Sequence, residues 1–211
     1  MNFSLNNNSN QLAFWVSDLR DNSYILDRKE ISWASKLSPE KSQIYKNSRS
    51  FLRKRLSELF NISPLDVPLV SPPGVKPFLR KGYGHVSLSH SFNKVLVGWS
   101  SSNIGVDIES KYRKINSEKL YIRFFSENEK IRLKNLNEIN LDNEVIKLWV
   151  IKESCIKLFN TKLIFGMKNL VYNNKSEVIN INNKQKTNIF FSEYKNFVFS
   201  IANNYALDLN S

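Results

Sequence analysis

Asp107 and Glu109 stand two residues apart in Gly105-Val106-Asp107-Ile108-Glu109. Successive side chains of a strand point to opposite faces, so on a strand the two carboxylates share one face while Val106 and Ile108 take the other. Like charges that close raise each other's pKa unless a cation lies between them, and a hard divalent ion such as Mg²⁺ is held by a few carboxylates together with phosphate oxygens. The same spacing suits the polar outer face of an edge strand, and spacing alone does not separate the two readings. A third acid comes from Leu148-Trp149-Val150-Ile151-Lys152-Glu153-Ser154-Cys155-Ile156-Lys157, which reads as helix. Glu153 falls on the stripe that carries Trp149 and Ile156, one turn before Lys157. A carboxylate on an apolar stripe needs a partner. Either Lys157 supplies it, in a surface ion pair of about 0.3–0.5 kcal/mol, or Glu153 is a metal ligand or base and Lys157 meets a phosphate or leaving group.

Ser89-His90-Ser91 closes a strand whose Val86 and Leu88 point inward. The imidazole, flanked by two hydroxyls, either faces solvent or donates a hydrogen bond to a phosphate oxygen. Arg49 and Arg53, one helical turn apart, flank the stripe of Tyr45, Leu52 and Leu56. They read either as snorkelling surface arginines or as a bidentate phosphate clamp. Glu129 has a structural explanation, because Ser126-Glu127-Asn128-Glu129 has the Ser-x-x-Glu form of a capping box.

These groups need elements to hold them. Ser38-Pro39 starts a helix that runs to about Phe60, and further helical periodicity covers 117–125, 127–136 and 141–160. Strands are expected at 12–16, 85–89, 95–99 and 104–109, the last two forming a pair through a turn at 100–103, and again near 163–171, 188–192 and 197–202. The prolines between Pro64 and Pro77 demand an irregular connection. Residues 1–10, half of them asparagine, are expected to be frayed. The order strand, helix, strands occurs twice, which predicts an α+β protein of two similar-sized lobes, 1–102 and 103–211.

Composition narrows the chemistry. A single cysteine, Cys155, and two histidines exclude a disulfide framework and a multi-cysteine zinc site, so any metal must be held by oxygen. No apolar run reaches the ~18 residues of a membrane span, and the N-terminus has no basic-then-apolar signal pattern, so a cytoplasmic protein without a membrane partner is expected. With 31 Lys+Arg against 19 Asp+Glu the net charge is +12, which points to an acidic partner. The excess is spread over both halves without a basic tail, zinc finger or RNP-type motif, so nucleic acid is not the expected partner; a basic nucleic-acid-binding module is the competing reading.

In order and spacing, Lys76-Pro77, Leu88-Ser89-His90-Ser91, Gly105-Val106-Asp107-Ile108-Glu109, Phe124-Phe125-Ser126 with Glu129, and Trp149 followed by Lys152-Glu153-Ser154 and Lys157 resemble the Sfp-type branch of the 4′-phosphopantetheinyl transferase superfamily. The resemblance spans about Arg49 to Lys157. It departs at Val86-Ser87, where Phe-Asn is usual, at Val75 within Gly74-Val75-Lys76-Pro77, and at Val150. It implies two lobes related by a pseudo-twofold, and transfer of 4′-phosphopantetheine from coenzyme A to a serine of an apo acyl or peptidyl carrier protein, releasing adenosine 3′,5′-bisphosphate. Asp107, Glu109 and Glu153 would then hold Mg²⁺, Glu153 would take the serine proton, and Lys157 would offset charge on the leaving phosphate. Ser89 and His90 would contact coenzyme A phosphate, with Arg49, Arg53, Lys76 and Pro77 at its 3′-phosphate and adenine. The resemblance also brings a second alternative, a non-catalytic carrier-binding module on the same fold, and a fold already paired within one chain implies a monomer.

Overall fold

In the computed structural model, which describes residues 2–7, 10–19, 24–161, 166–173 and 176–205, the chain divides between Ser101 and Ser102 into two units of mixed α+β structure. The first contains β1 (Asn2–Asn7), β2 (Asn10–Asp18), α1 (Arg28–Ala34), α2 (Pro39–Phe60), β3 (Leu69–Val70), β4 (Phe78–Leu79), β5 (His85–Ser91) and β6 (Lys94–Ser100). Its main sheet is antiparallel in the order β1-β2-β6-β5. Pro39 opens α2 at the first helical position and Asn61 closes it in the left-handed region. Leu52 and Leu56 of α2 pack on Ala13, Trp15, Val86, Val95, Val97 and Trp99 of the sheet.

The second unit contains β7 (Ile104–Ser110), α3 (Ser117–Phe124), α4 (Glu127–Lys134), α5 (Glu138–Phe159), a 3-10 turn (Met167–Asn169), β8 (Leu170–Tyr172), β9 (Glu177–Asn180), β10 (Lys186–Tyr194) and β11 (Phe197–Asn203). Its sheet runs β7-β11-β10-β9-β8. Ile151, Cys155 and Leu158 of α5 join Leu170, Val178, Ile189 and Ala202 in its core.

Each 22-residue helix is stapled to the start of a short helix by one buried cation. In α2, Arg53 donates from Nε to Glu30 (2.7 Å), from Nη2 to Asp27 (2.7 Å) and from Nη1 to the carbonyls of Pro64 (3.1 Å) and Val67 (3.2 Å). Asp27 and Glu30 form the capping box of α1. In α5, Lys152 donates to Glu129 (2.7 Å) and to the carbonyls of Met167 (2.9 Å) and Leu170. Glu129 with Ser126 forms the capping box of α4. Removing one partner from such a pair leaves a buried charge uncompensated, at a cost of about 3–5 kcal/mol.

Several expectations are corrected. Residues 2–7 are not frayed but pair antiparallel with 10–15, because a backbone ladder needs no apolar side chain to form. The strands at 95–99 and 104–109 do not pair with each other: β6 lies between β2 and β5, and β7 pairs with β11. Of the strand expected near 163–171, positions 163–165 lie outside the described residues, and a 3-10 turn precedes β8. The helix α1 was not expected, although Asp27-x-x-Glu30 carries a capping-box signal.

The approach of α5 to β7 is set by Gly105. A Cβ at this position would lie 1.9 Å from the Ser154 carbonyl oxygen and 2.4 Å from the Leu158 nitrogen. Both are backbone atoms and cannot turn aside. Gly105→Ala should therefore lower stability by about 3 kcal/mol or more, read as a fall in the urea midpoint at unchanged m-value; a wild-type midpoint would show that the contact is not tight.

Candidate functional site

Gly105, Asp107 and Glu109 alternate onto one face of β7, and Gly105 abuts α5, so both carboxylates lie on the helix-bearing side. Small residues keep the helix close: Ser154 Oγ and Ser200 Oγ are 3.0 Å apart, and Ser200 is the cross-strand partner of Asp107. Lys157 Nζ donates to Asp107 Oδ1 at 2.6 Å. Glu109 accepts from the Ser110 amide (2.9 Å) and from Arg113. Both acids are buried.

Glu153 is half-buried, one turn before Lys157. Lys157 pairs with Asp107, and Glu153 makes no ion pair or hydrogen bond among the described residues. Its pKa is pushed up to about 7 by burial first and by the negative charge of Asp107 next; Lys157 and Arg113 oppose the shift and Glu109 adds to it. A half-buried carboxyl that also feels the negative charge of Asp107 and Glu109 lies where a cation would be favoured.

The donor set is therefore three carboxylates without histidine or cysteine, which suits a hard divalent ion. Among the described residues no three such side chains are gathered as a metal cage; Lys157 pairs with Asp107 and Arg113 with Glu109. The chemistry of the donors fits Mg²⁺, with the two cations as the present counter-charges.

The rest of α5 supports this face. Trp149 meets Phe124 edge to face, ring centroids 5.7 Å apart, and Lys152 is spent on Glu129 and backbone carbonyls. Cys155 is fully buried and its thiol is pushed up to about 12, which makes it a packing residue rather than a nucleophile.

In the first unit Arg49 is buried beside Tyr45 and Ser71. Its Nη1 donates to Ser48 Oγ (3.1 Å), its Nε makes a long contact with the Ser71 carbonyl (3.5 Å), and it lies over the Tyr45 ring; Tyr45 Oη donates to the same carbonyl (2.9 Å). No carboxylate of the described residues reaches ion-pair distance of Arg49, and burial lowers its pKa. Ser71 Oγ, also buried, has no hydrogen-bond partner among the described residues. A buried cation beside a spare hydroxyl is a place for an anion. Lys76 is half-buried, with its pKa lowered by burial, and Pro77 is buried; they lead directly into β4, which lies beside β5. On β5, Ser89 is buried and His90 exposed.

Arg53 does not belong with these groups. The expected phosphate clamp of Arg49 and Arg53 is corrected, because Arg53 is 1% exposed and its guanidinium is saturated by Asp27, Glu30 and two carbonyls. The structure thus brings Asp107, Glu109, Glu153 and Lys157 together in the second unit, while Arg49, Lys76, Pro77, Ser89 and His90 lie in the first. Sequence reasoning missed Arg113, one of three cations within five residues after Glu109, as well as the Tyr45–Ser71 contact, which carries no local signal.

The raised pKa of Glu153 has a defined pH signature. Between the ordinary value of 4.5 and about 7 the folded chain holds a proton that the unfolded chain releases, so stability falls as pH rises through that window. In metal-free buffer, Glu153→Gln should be more stable than wild type at pH 8, with the gap closing at pH 5; equal urea midpoints at both pH values would contradict the burial of Glu153 beside Asp107.

A family model described as ACPS, 4′-phosphopantetheinyl transferase superfamily, matches residues 103–209, which include all four residues of the acidic cluster. None of the curated proteins compared matches the chain.

Proposed function

The chain belongs to the 4′-phosphopantetheinyl transferase superfamily, and we propose that it is an Sfp-type member that moves 4′-phosphopantetheine from coenzyme A to a serine of an apo acyl or peptidyl carrier protein. The observation that carries this reading is the placement of Glu153 and Lys157 over Asp107 and Glu109 by the close contact of α5 with β7. Phosphoryl transfer asks for positioning and charge neutralisation more than for covalent chemistry, and this cluster has the groups for both. Asp107, Glu109 and Glu153 would hold Mg²⁺, which when bound supplies neutralisation of the pyrophosphate.

The chain's own residues account for the rest. Glu153 takes the serine proton directly or through one water. The serine oxygen forms a bond to the phosphorus that bears the pantetheine arm. The bond from that phosphorus to the bridging oxygen breaks, and its electron pair leaves with adenosine 3′,5′-bisphosphate, whose charge Lys157 offsets. Arg49, buried and with no acidic partner among the described residues, suits the 3′-phosphate, with Lys76 and Pro77 at the adenine and Ser89 and His90 at the pyrophosphate.

Incubation with coenzyme A, Mg²⁺ and a panel of apo carriers should add the mass of one phosphopantetheinyl group to a carrier serine. Asp107→Ala should abolish the gain while leaving the far-UV spectrum intact. Arg49→Gln should raise KM for coenzyme A about tenfold and leave that for the carrier unchanged. No mass gain on any carrier, with steeply salt-dependent RNA binding instead, would refute the reading.

A further inference from the structure

The hairpin between β5 and β6 turns through two residues, Phe92 and Asn93, with Ser91 paired to Lys94. A two-residue turn of this kind needs a residue with positive φ, a conformation taken readily by glycine and, less so, by asparagine or aspartate. Here the position is Phe92, with φ at +50°. A bulky aromatic in the left-handed region is strained. Packing does not compensate for it, because Phe92 is 68% exposed.

The tip that carries it is firmly held. Asp18 Oδ1 accepts from Asn93 Nδ2 (3.1 Å) and from the buried Lys94 Nζ (2.6 Å). The Leu19 amide donates to the Asn93 carbonyl (2.7 Å), and the Leu19 carbonyl accepts from Asn47 Nδ2 of α2 (2.6 Å). The aromatic side chain is thus presented to solvent on a turn tied to β2 and α2. It stands two residues beyond His90.

We infer that Phe92 is a docking anchor for the apo carrier protein, its ring entering an apolar recess of that partner. The inference rests on the transferase reading. Small-molecule sites are concave, whereas this ring sits at the end of a hairpin, which suits a macromolecule that brings its own recess. The family's reaction has one macromolecular substrate, the carrier. The net charge of +12 favours an acidic partner, and the position next to residues 89–91 sets the anchor beside the proposed phosphate contacts.

Steady-state transfer and thermal melts of the full chain test this with Phe92→Gly, Phe92→Asn and Phe92→Trp. The glycine and asparagine variants should raise KM for the carrier about tenfold, with kcat and KM for coenzyme A unchanged. Both should melt about 2–4 °C higher, from release of backbone strain. The tryptophan variant should keep the wild-type KM. An unchanged carrier KM in the glycine and asparagine variants overturns the inference while the transferase reading stands. So does a rise in KM for coenzyme A alone, which would assign the ring to the nucleotide. Lower melting of both variants would show that the ring packs on its own chain and would also overturn it. Absence of transfer by the wild type refutes both the reading and the inference.

Discussion

The absence of a side chain at Gly105 governs the second unit. Because β7 has no Cβ there, the backbone of α5 descends onto the strand at Ser154 and Leu158. Two alternations then follow without further specification. The pleat of β7 returns Asp107 and Glu109 to the same face as Gly105, and the helical repeat of α5 sets Glu153 and Lys157 on either side of Ser154 and one turn apart. That contact sets Asp107 and Glu109 of the strand to face Glu153 and Lys157 of the helix, although it contains none of them and the three acids do not form a closed cage among the described residues. Burial first and the charge of Asp107 next raise the Glu153 pKa, and the packing of α5 on its sheet holds the acids close despite their like charge.

A second device recurs in the two units. Arg53 and Lys152 occupy the same position along helices of equal length, and each pairs with the glutamate of a capping box and with two backbone carbonyls. The common solution fixes a long helix to a short helix and to the segment that follows it. The residues next to these cations differ: Lys54 follows Arg53, whereas Glu153 follows Lys152. Acidic chemistry therefore belongs to one unit, although both use the same staple. The pairing also explains why Arg53, which by helical spacing belongs with Arg49, contributes to the fold instead.

Local signals in the chain were reliable where the physics is local. Ser38-Pro39 marked the start of α2, Ser-x-x-Glu marked α4, and the alternation in 104–109 placed both acids on one face. Pairings between distant residues were not legible. The saturation of Arg53 depends on Asp27 and Glu30, more than twenty residues earlier, and the sheet change between β6 and β7 depends on which strands reach each edge. The acidic site was readable because its spacing is carried by one strand and one helix. Arg113 and the Tyr45–Ser71 contact were not, because each is defined by a loop whose path no periodicity describes.

The burial of Cys155 has a chemical consequence for an enzyme of this family. Coenzyme A and the pantetheine arm both end in a free thiol, and such thiols exchange with accessible protein thiolates to form mixed disulfides. The chain's one sulfhydryl is fully enclosed and pushed up to about 12, so it has neither the access nor the ionisation that exchange requires. A thiol-bearing substrate of the kind this family uses would therefore find no accessible thiolate on the folded chain to capture it.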